Sequence, residues 1–250
     1  MDMEEIRLTY EADLPARSGL GTSSAFAVGI LNAFHYCRGE YVNKRQLADE
    51  AIRLEREICN EAGGLQDQIA VAFGGMNKIL FSGNDYTVCP VKIPLARKVL
   101  LEKRLMLFFT GFSRLSFKIQ EKTRNRLSSR IEILLEMKRL VDEAERILID
   151  EKTSLDDFGR LLDYGWRLKR EINQEISTDE VDILYERAKK AGALGGKLLG
   201  AGGGGFLLLY VTPERREEVR QALAGLLHVP FQFENSGTET IYYAPDYNTG

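Results

Sequence analysis

The sequence predicts an α+β protein made of two parts, and three observations support this prediction. Short apolar or alternating segments that are typical of strands occur near the start, between residues 78 and 110, and again after residue 205. Long stretches with apolar residues at helical spacing lie between them. The chain has 250 residues, of which 44% are hydrophobic and 28% charged, as expected for one large or two small globular domains.

The first hundred residues predict a strand, three helices and a hairpin. Residues 6–14 alternate in hydrophobicity like a half-buried strand. Helical spacing follows in three segments, at residues 25–34, from the N-cap Asn43 to about Asn60, and at residues 67–73. Turn residues then separate two strand candidates, at residues 78–81 and 87–93.

The rest of the chain predicts a second α+β layer. Strands are expected at residues 105–110, 206–211, 230–233 and 240–243, and helices at residues 127–148, 155–175, 179–191 and 213–227. This order resembles a split β-α-β arrangement. Because the charged stretch at residues 96–104 lies between strand candidates, we place the domain boundary there, with parts 1–103 and 104–250.

Charge and composition exclude several classes of function. The net charge is −3 and no apolar run is long enough to span a bilayer, so we expect neither a nucleic-acid partner nor a membrane partner. The three cysteines are far apart and odd in number, which favours a reducing cytoplasm over a disulfide framework. The two histidines, His35 and His228, lack suitable neighbours for a metal cage or a catalytic triad and are expected to be ordinary helix residues.

The first candidate site is a glycine turn that leads into a helix. Residues 15–25 read Pro-Ala-Arg-Ser-Gly-Leu-Gly-Thr-Ser-Ser-Ala. The unpaired amides and the dipole at a helix start attract phosphate, and Gly19 and Gly21 let the backbone approach a ligand closely. Thr22 or Ser23 could offer a hydroxyl to a magnesium ion. An N-cap with a tight turn explains the same residues without a ligand, and no Walker A loop or dinucleotide fingerprint is present.

The second candidate is the carboxylate pair Glu55 and Asp67. A Gly-Gly break between them allows the chain to turn back, so both could reach one pocket. One carboxylate could hold Mg²⁺ while the other takes a proton from a substrate hydroxyl. The alternative is that Glu55 belongs to a solvated helix face with Arg53, Arg56 and Glu57.

The third candidate is the segment 195–205, which contains seven glycines in eleven residues. Four consecutive glycines directly before a buried strand lose much conformational entropy on folding. Close approach of the backbone to a ligand or another loop explains them better than a flexible linker does.

Together these segments resemble the GHMP kinases, the family that includes galactokinase, homoserine kinase and mevalonate kinase. The match covers the whole chain in the right order, with P-x-x-x-G-L-G-[ST]-S early and G-A-G-G-G-G late. Residues 63–75, 107–114 and 191–200 resemble one branch, the kinases of D-glycero-D-manno-heptose 7-phosphate. The resemblance implies a ribosomal S5 domain 2-like first part and a ferredoxin-like second part. It also implies transfer of phosphate from ATP to the anomeric hydroxyl of a sugar phosphate.

Position by position, the resemblance assigns roles to the candidate residues. It implies a catalytic role near the reacting hydroxyl for Asp67 and a Mg²⁺ site made by Ser23 and Glu55. Arg114 becomes a candidate for the sugar phosphate, and a plain surface arginine remains the alternative. The ATP-binding residues that it implies are Gly19, Leu20, Gly21, Thr22, Ser23 and Ser24 in the phosphate loop and Gly202, Gly203, Gly204 and Gly205 between the domains.

The start of the chain departs from the family pattern. Members begin with a strand and a glycine-containing motif that helps to bind the sugar, whereas Ile6 already belongs to the predicted strand before the phosphate loop. We therefore expect a chain truncated at its start, with poor phosphate transfer and an unpaired sheet edge that favours a homo-oligomer. A kinase of another sugar, galactokinase-like or fucokinase-like, and a non-catalytic or inactive remnant remain alternatives. Retention of Ser23, Glu55 and Asp67 favours an enzyme.

Overall fold

The structure, a computed structural model, describes residues 7–14, 19–111, 119, 122–123 and 126–243. The first part of the chain consists of three helices and a hairpin. These are α1 (Thr22–Cys37), α2 (Lys44–Arg53), α3 (Gln66–Phe73), β1 (Asn77–Ser82) and β2 (Asp85–Pro90). Their apolar faces share one core, which includes Val28, Leu47 and Ile69.

Local sequence signals account for the ends of these helices. α1 follows Gly21, which has a left-handed backbone, and it ends before Gly39, which also has a positive φ. The Asn43 side chain accepts a hydrogen bond from the amide of Gln46 at 2.9 Å, which confirms the predicted N-cap of α2. α2 continues into a π-helical turn (Leu54–Ile58) that carries Glu55. Such turns often occur where a side chain is held for function.

The second part is a four-stranded antiparallel sheet with helices packed against it. Its elements are α4 (Leu95–Arg104), β3 (Leu105–Gly111), α5 (Ile131–Ile149), α6 (Asp156–Ile172), α7 (Asp179–Lys190), β4 (Ala193–Leu198), β5 (Gly205–Val211), α8 (Arg216–Ala222) and β6 (Leu227–Val229). The sheet order is β4-β5-β3-β6, and every neighbouring pair is antiparallel. This is the order of a ferredoxin-like split β-α-β unit, so the predicted α+β class is confirmed.

Glycines allow β4 to lie unusually close to α6. A Cβ placed on Gly195 would be 2.0 Å from the carbonyl oxygen of Gly159, and a Cβ on Gly159 would be 2.5 Å from the Tyr210 ring. The sequence predicted no strand within residues 195–205. The structure instead forms a strand as far as Leu198 and then a short glycine-rich loop, residues 199–204.

Three predicted strands are wrong. Residues 7–14 form no strand, and Leu8 and Tyr10 are half exposed, because no strand in the described chain lies beside them. Residues 230–233 follow β6 without pairing, since Phe231 and Phe233 pack into a core cluster instead. Residues 240–243 are also unpaired, and Ile241 is almost fully exposed.

Two local assignments also differ. The charged stretch at residues 96–104 forms α4, whose buried Arg97 donates to the carbonyls of Ile147 and Leu148 at the end of α5. The boundary between residues 103 and 104 would fall in the last turn of this helix and stays a prediction. His228 lies on strand β6 and not on a helix. Within the described ranges no helix is both long and apolar enough to cross a membrane.

Candidate active site

A buried glutamate joins the phosphate loop to the two helices beside it. Glu55 is only 4% exposed. Its Oε1 accepts a hydrogen bond from the Ser23 hydroxyl at 2.6 Å and its Oε2 accepts one from the Ser24 hydroxyl at 2.8 Å. The side-chain amide of Gln68 on α3 donates to the same Oε2. Glu55 therefore does not belong to a solvated helix face, although Arg53 and Glu57 on either side of it are exposed.

The two serines differ in accessibility. Ser24 is buried, and the structure gives its hydroxyl one partner, Glu55. Ser23 is exposed at the start of α1, where the first helical amides lack partners within the helix. Its hydroxyl reaches solvent, is oriented by Glu55 and also lies 3.4 Å from Oε2 of Glu61. The Gly21 turn before it carries no side chain that would cover these amides.

Asp67 lies in the first turn of α3, opposite the same turn. A Cβ on Gly21 would be 3.5 Å from both Cβ and Cγ of Asp67, so the carboxyl lies directly against the phosphate loop. Although its side chain reaches solvent, the surrounding protein removes enough water to raise the pKa of this carboxyl. The charge of Glu55 raises that pKa further, and Arg56 partly opposes the shift. The structure thus brings Glu55 and Asp67 to one site.

The glycine-rich loop contacts the phosphate loop through backbone atoms. A Cβ on Gly19 would be 3.2 Å from the carbonyl oxygen of Leu199, and a Cβ on Gly200 would be 2.8 Å from the Cα of Gly19. On its other side the loop is held by Ile176, whose carbonyl oxygen accepts a hydrogen bond from the amide of Gly203 at 2.9 Å. Because the loop is fixed at both sides, the linker interpretation of this segment is wrong.

Two residues of the site were not identified from the sequence. Gln68 is fully buried, and a buried polar residue in front of an apolar helical run is a weak signal that could have found it. Arg56 closes the loop after α2 by donating to the carbonyls of Glu61 and Gly64 at 3.0 and 2.8 Å. The predicted sugar-phosphate residue Arg114 and the start of the phosphate-loop motif, residues 15–18, lie outside the described residues.

The oxygen atoms around Glu55 fit a magnesium ion. A carboxylate and a hydroxyl are the hard donors that Mg²⁺ prefers, and the ion commonly takes one or two carboxylates plus substrate phosphates. Gln68 adds a buried Oε1 atom without a hydrogen-bond partner in the described structure. Ser23 and Glu55 are therefore suitable ligands, with Gln68 beside them.

Two family models match this chain. The family model described as GHMP kinases N terminal domain matches residues 2–75, and the model described as GHMP kinases C terminal matches residues 140–228, together more than half of the chain.

Individual relatives extend over most of the chain. It is 35% identical to the D-glycero-alpha-D-manno-heptose 7-phosphate kinase of Campylobacter jejuni, over 86% of this chain and 63% of that protein. It is 32% identical to the bifunctional fucokinase/GDP-fucose pyrophosphorylase of Arabidopsis thaliana, over 89% of this chain and 22% of that protein. A solved D-glycero-D-manno-heptose 1-phosphate kinase from Bacteroides thetaiotaomicron superposes with a TM-score of 0.70 at 31% identity, over 90% of this chain and 64% of that one. The chain thus spans less than two thirds of the length of each of these relatives.

Proposed function

Because the chain belongs to the GHMP kinase family, we propose that it transfers the γ-phosphoryl group of ATP to the anomeric hydroxyl of a sugar phosphate. The acceptor in this proposal is D-glycero-D-manno-heptose 7-phosphate, the compound in the name of the Campylobacter jejuni relative. The observation that carries the proposal is the convergence of Ser23, Glu55 and Asp67 at the start of α1.

Phosphate binding is the task of the helix start and the two glycine loops. The free amides and the dipole of α1 favour the negative charge of the nucleotide phosphates. Ser23 and Glu55 would hold a magnesium ion, which neutralises charge on the β- and γ-phosphates when it is bound. Since Gly200 touches Gly19, the loop that contains Gly202, Gly203 and Gly204 would form the second wall of the phosphate site.

Asp67 is suited to accept the proton of the reacting hydroxyl. As the bond between the sugar oxygen and the γ-phosphorus forms, the bond from that phosphorus to the leaving ADP oxygen breaks, and the hydroxyl proton passes to the carboxylate. A base works best when its pKa lies near the operating pH. The raised pKa of Asp67 therefore makes it a stronger base than an ordinary aspartate.

Fucose is a second candidate for the acceptor, because the Arabidopsis thaliana relative is named as a fucokinase. The test is incubation of the chain with Mg²⁺ and ATP and, in turn, heptose 7-phosphate, fucose, galactose and mevalonate. The phosphorylated acceptor is followed by ³¹P NMR over many hours. We expect product from heptose 7-phosphate, formed about 10² to 10⁴ times more slowly when Asp67→Asn replaces the parent. Product from fucose alone would make the second candidate the function, and ATP hydrolysis without any phosphorylated acceptor would contradict both.

We also propose that this reaction takes place in the cytoplasm, where ATP and reducing conditions occur together. Cys37, Cys59 and Cys89 are all free, as expected in that compartment. Assembly into a homo-oligomer stays a prediction.

A further inference from the structure

Two lysines lie close together behind the glycine-rich loop. Lys169 is in the last turn of α6, and Lys197 is on β4, where it pairs with Leu208 of β5. Both side chains are half-buried, and neither forms an ion pair with any carboxylate in the described chain. The one hydrogen bond that the structure gives the pair runs from the Lys169 ammonium to the carbonyl oxygen of Gly200, at 2.9 Å.

This arrangement is unfavourable for the isolated protein. Burial lowers the pKa of Lys169 to about 8, and the positive charge of Lys197 lowers it further. Burial also lowers the pKa of Lys197. Two neighbouring ammonium groups that have lost part of their water without gaining a counter-charge repel each other, and a bound anion would remove that penalty.

The position of Lys169 links the pair to the candidate phosphate site. Gly200, which Lys169 holds, contacts Gly19 of the phosphate loop through its backbone. Lys169 is therefore one backbone residue away from the glycine turn before α1, and Lys197 lies three residues before Gly200 in the chain. Lysine ammonium groups bind phosphate as compact point charges.

We propose that Lys169 and Lys197 form a binding site for a phosphate group of a substrate. The phosphate belongs either to the nucleotide or to the acceptor, and the chemistry of recognition is the same in both cases. The identity of these two substrates rests on the proposed function, whereas the anion site itself does not.

The test compares Lys197→Gln with the parent and with a matched control, Lys190→Gln. Lys190 is an exposed lysine at the end of α7, away from the glycine-rich loop. Binding of tripolyphosphate, ADP and heptose 7-phosphate is measured by calorimetry at several NaCl concentrations. Because the glutamine removes one of two repelling charges, we expect the variant to fold and to unfold at a temperature no lower than the parent does.

We expect Lys197→Gln to weaken at least one probe about tenfold or more, while Lys190→Gln changes none of them. Weaker tripolyphosphate and ADP binding would assign the site to the nucleotide, and weaker heptose 7-phosphate binding alone would assign it to the acceptor. We also expect the affinity of the variant to depend less steeply on salt, because one cationic contact is lost. Unchanged affinities, or weaker binding with an unchanged salt slope, would overturn the proposal, since a lysine that only supports the loop gives that second result.

The anion site and the kinase proposal can fail separately. A parent chain that binds these probes through Lys197 and phosphorylates no acceptor would refute the proposed function and retain the site. Phosphorylation by the parent, with all affinities unchanged in Lys197→Gln, would refute only the site.

Discussion

At Asp67 the features that suit catalysis also weaken the fold. Partial removal of water by the surrounding protein is the largest cause of the raised pKa of Asp67, and the Glu55 charge adds to it. A carboxyl whose pKa is higher in the folded than in the unfolded chain binds its proton more tightly when folded. Stability is therefore lost as the pH rises through these two pKa values, and at pH 7 the ionised group lowers the free energy of unfolding.

We predict that Asp67→Asn unfolds at a higher temperature than the parent at pH 7 and that this advantage shrinks as the pH falls to 4. Phosphoryl transfer should fall by about 10² to 10⁴, while ADP affinity stays close to that of the parent. The acid limb of the parent's kcat/KM profile should lie above the pKa of an ordinary aspartate. Thermal unfolding, calorimetry and a pH-rate profile measure these quantities. A variant that transfers phosphate like the parent would show that Asp67 is not the base.

Glu55 combines a ligand role with a packing role, so its replacement should show in two measurements. In Glu55→Gln an amide donor would face the donors of Ser24 and Gln68 in a buried place. We expect the free energy of unfolding to fall by about 1–3 kcal/mol and the magnesium dependence of ADP binding to flatten. Urea unfolding and a magnesium titration test this, with exposed Glu57→Gln as the control. If Glu55→Gln and Glu57→Gln had the same stability and the same magnesium dependence, Glu55 would have neither the packing role nor the ligand role.

At the scale of elements, the contact between β4 and α6 depends on the absence of side chains. A Cβ on Gly195 would be 2.0 Å from the Gly159 carbonyl oxygen and 2.8 Å from the amide nitrogen of Asp163. We predict that Gly195→Ala destabilises the protein by about 1–3 kcal/mol, because strand and helix must separate. Gly165→Ala on the same helix has its nearest neighbour at 3.7 Å and should stabilise by about 0.5–1 kcal/mol. Urea unfolding of both variants measures these free energies. Equal destabilisation of the two variants would contradict the packing argument.

Local patterns predicted most of the helices, although not α4, and predicted the strands less well. α2 could be predicted because its cap, Asn43, and its apolar stripe are adjacent in sequence. β4 could not, because glycine is uncommon in strands and its role here is contact with a helix far away in the chain. Residues 7–14 were wrongly predicted as a strand. Their alternating hydrophobicity is typical of a strand, but a strand also requires a neighbouring strand to pair with.

In the candidate site, too, local features could be predicted and long-range contacts could not. The candidate phosphate loop could be proposed from the sequence because its glycines directly precede α1 and its hydroxyl residues form the first turn of that helix. The proximity of Glu55 and Asp67 came from the family resemblance and from a Gly-Gly break. Gln68 and Arg56 could not be assigned, because their partners are set by how the loop after α2 folds back.

At the scale of the whole molecule, the segment after β6 returns to the first part and lies against the end of α3. The amide of Gly75 donates to the carbonyl oxygen of Glu234 at 3.1 Å, and the amide of Thr238 donates to that of Val71 at 3.0 Å. Lys44 fastens the same segment by donating to the carbonyl of Ser236 at 2.7 Å. α3, which carries Asp67 and Gln68, is thus held in place by residues more than 150 positions later in the chain.

This arrangement predicts that a change in the returning segment reaches the site. A Cβ on Gly237 would be 2.7 Å from the Ala72 carbonyl oxygen, and its φ of +75° disfavours any other residue. Gly225→Ala is the matched control, because it has a φ of +104° and open space around it. The backbone strain should cost both variants about 1–2 kcal/mol. We expect Gly237→Ala to lose about 1–3 kcal/mol more, to exchange amide hydrogens faster in α3 and to bind ADP more weakly. Hydrogen exchange, urea unfolding and calorimetry measure these effects. If α3 exchanged at the same rate in both variants, the returning segment would not support the site.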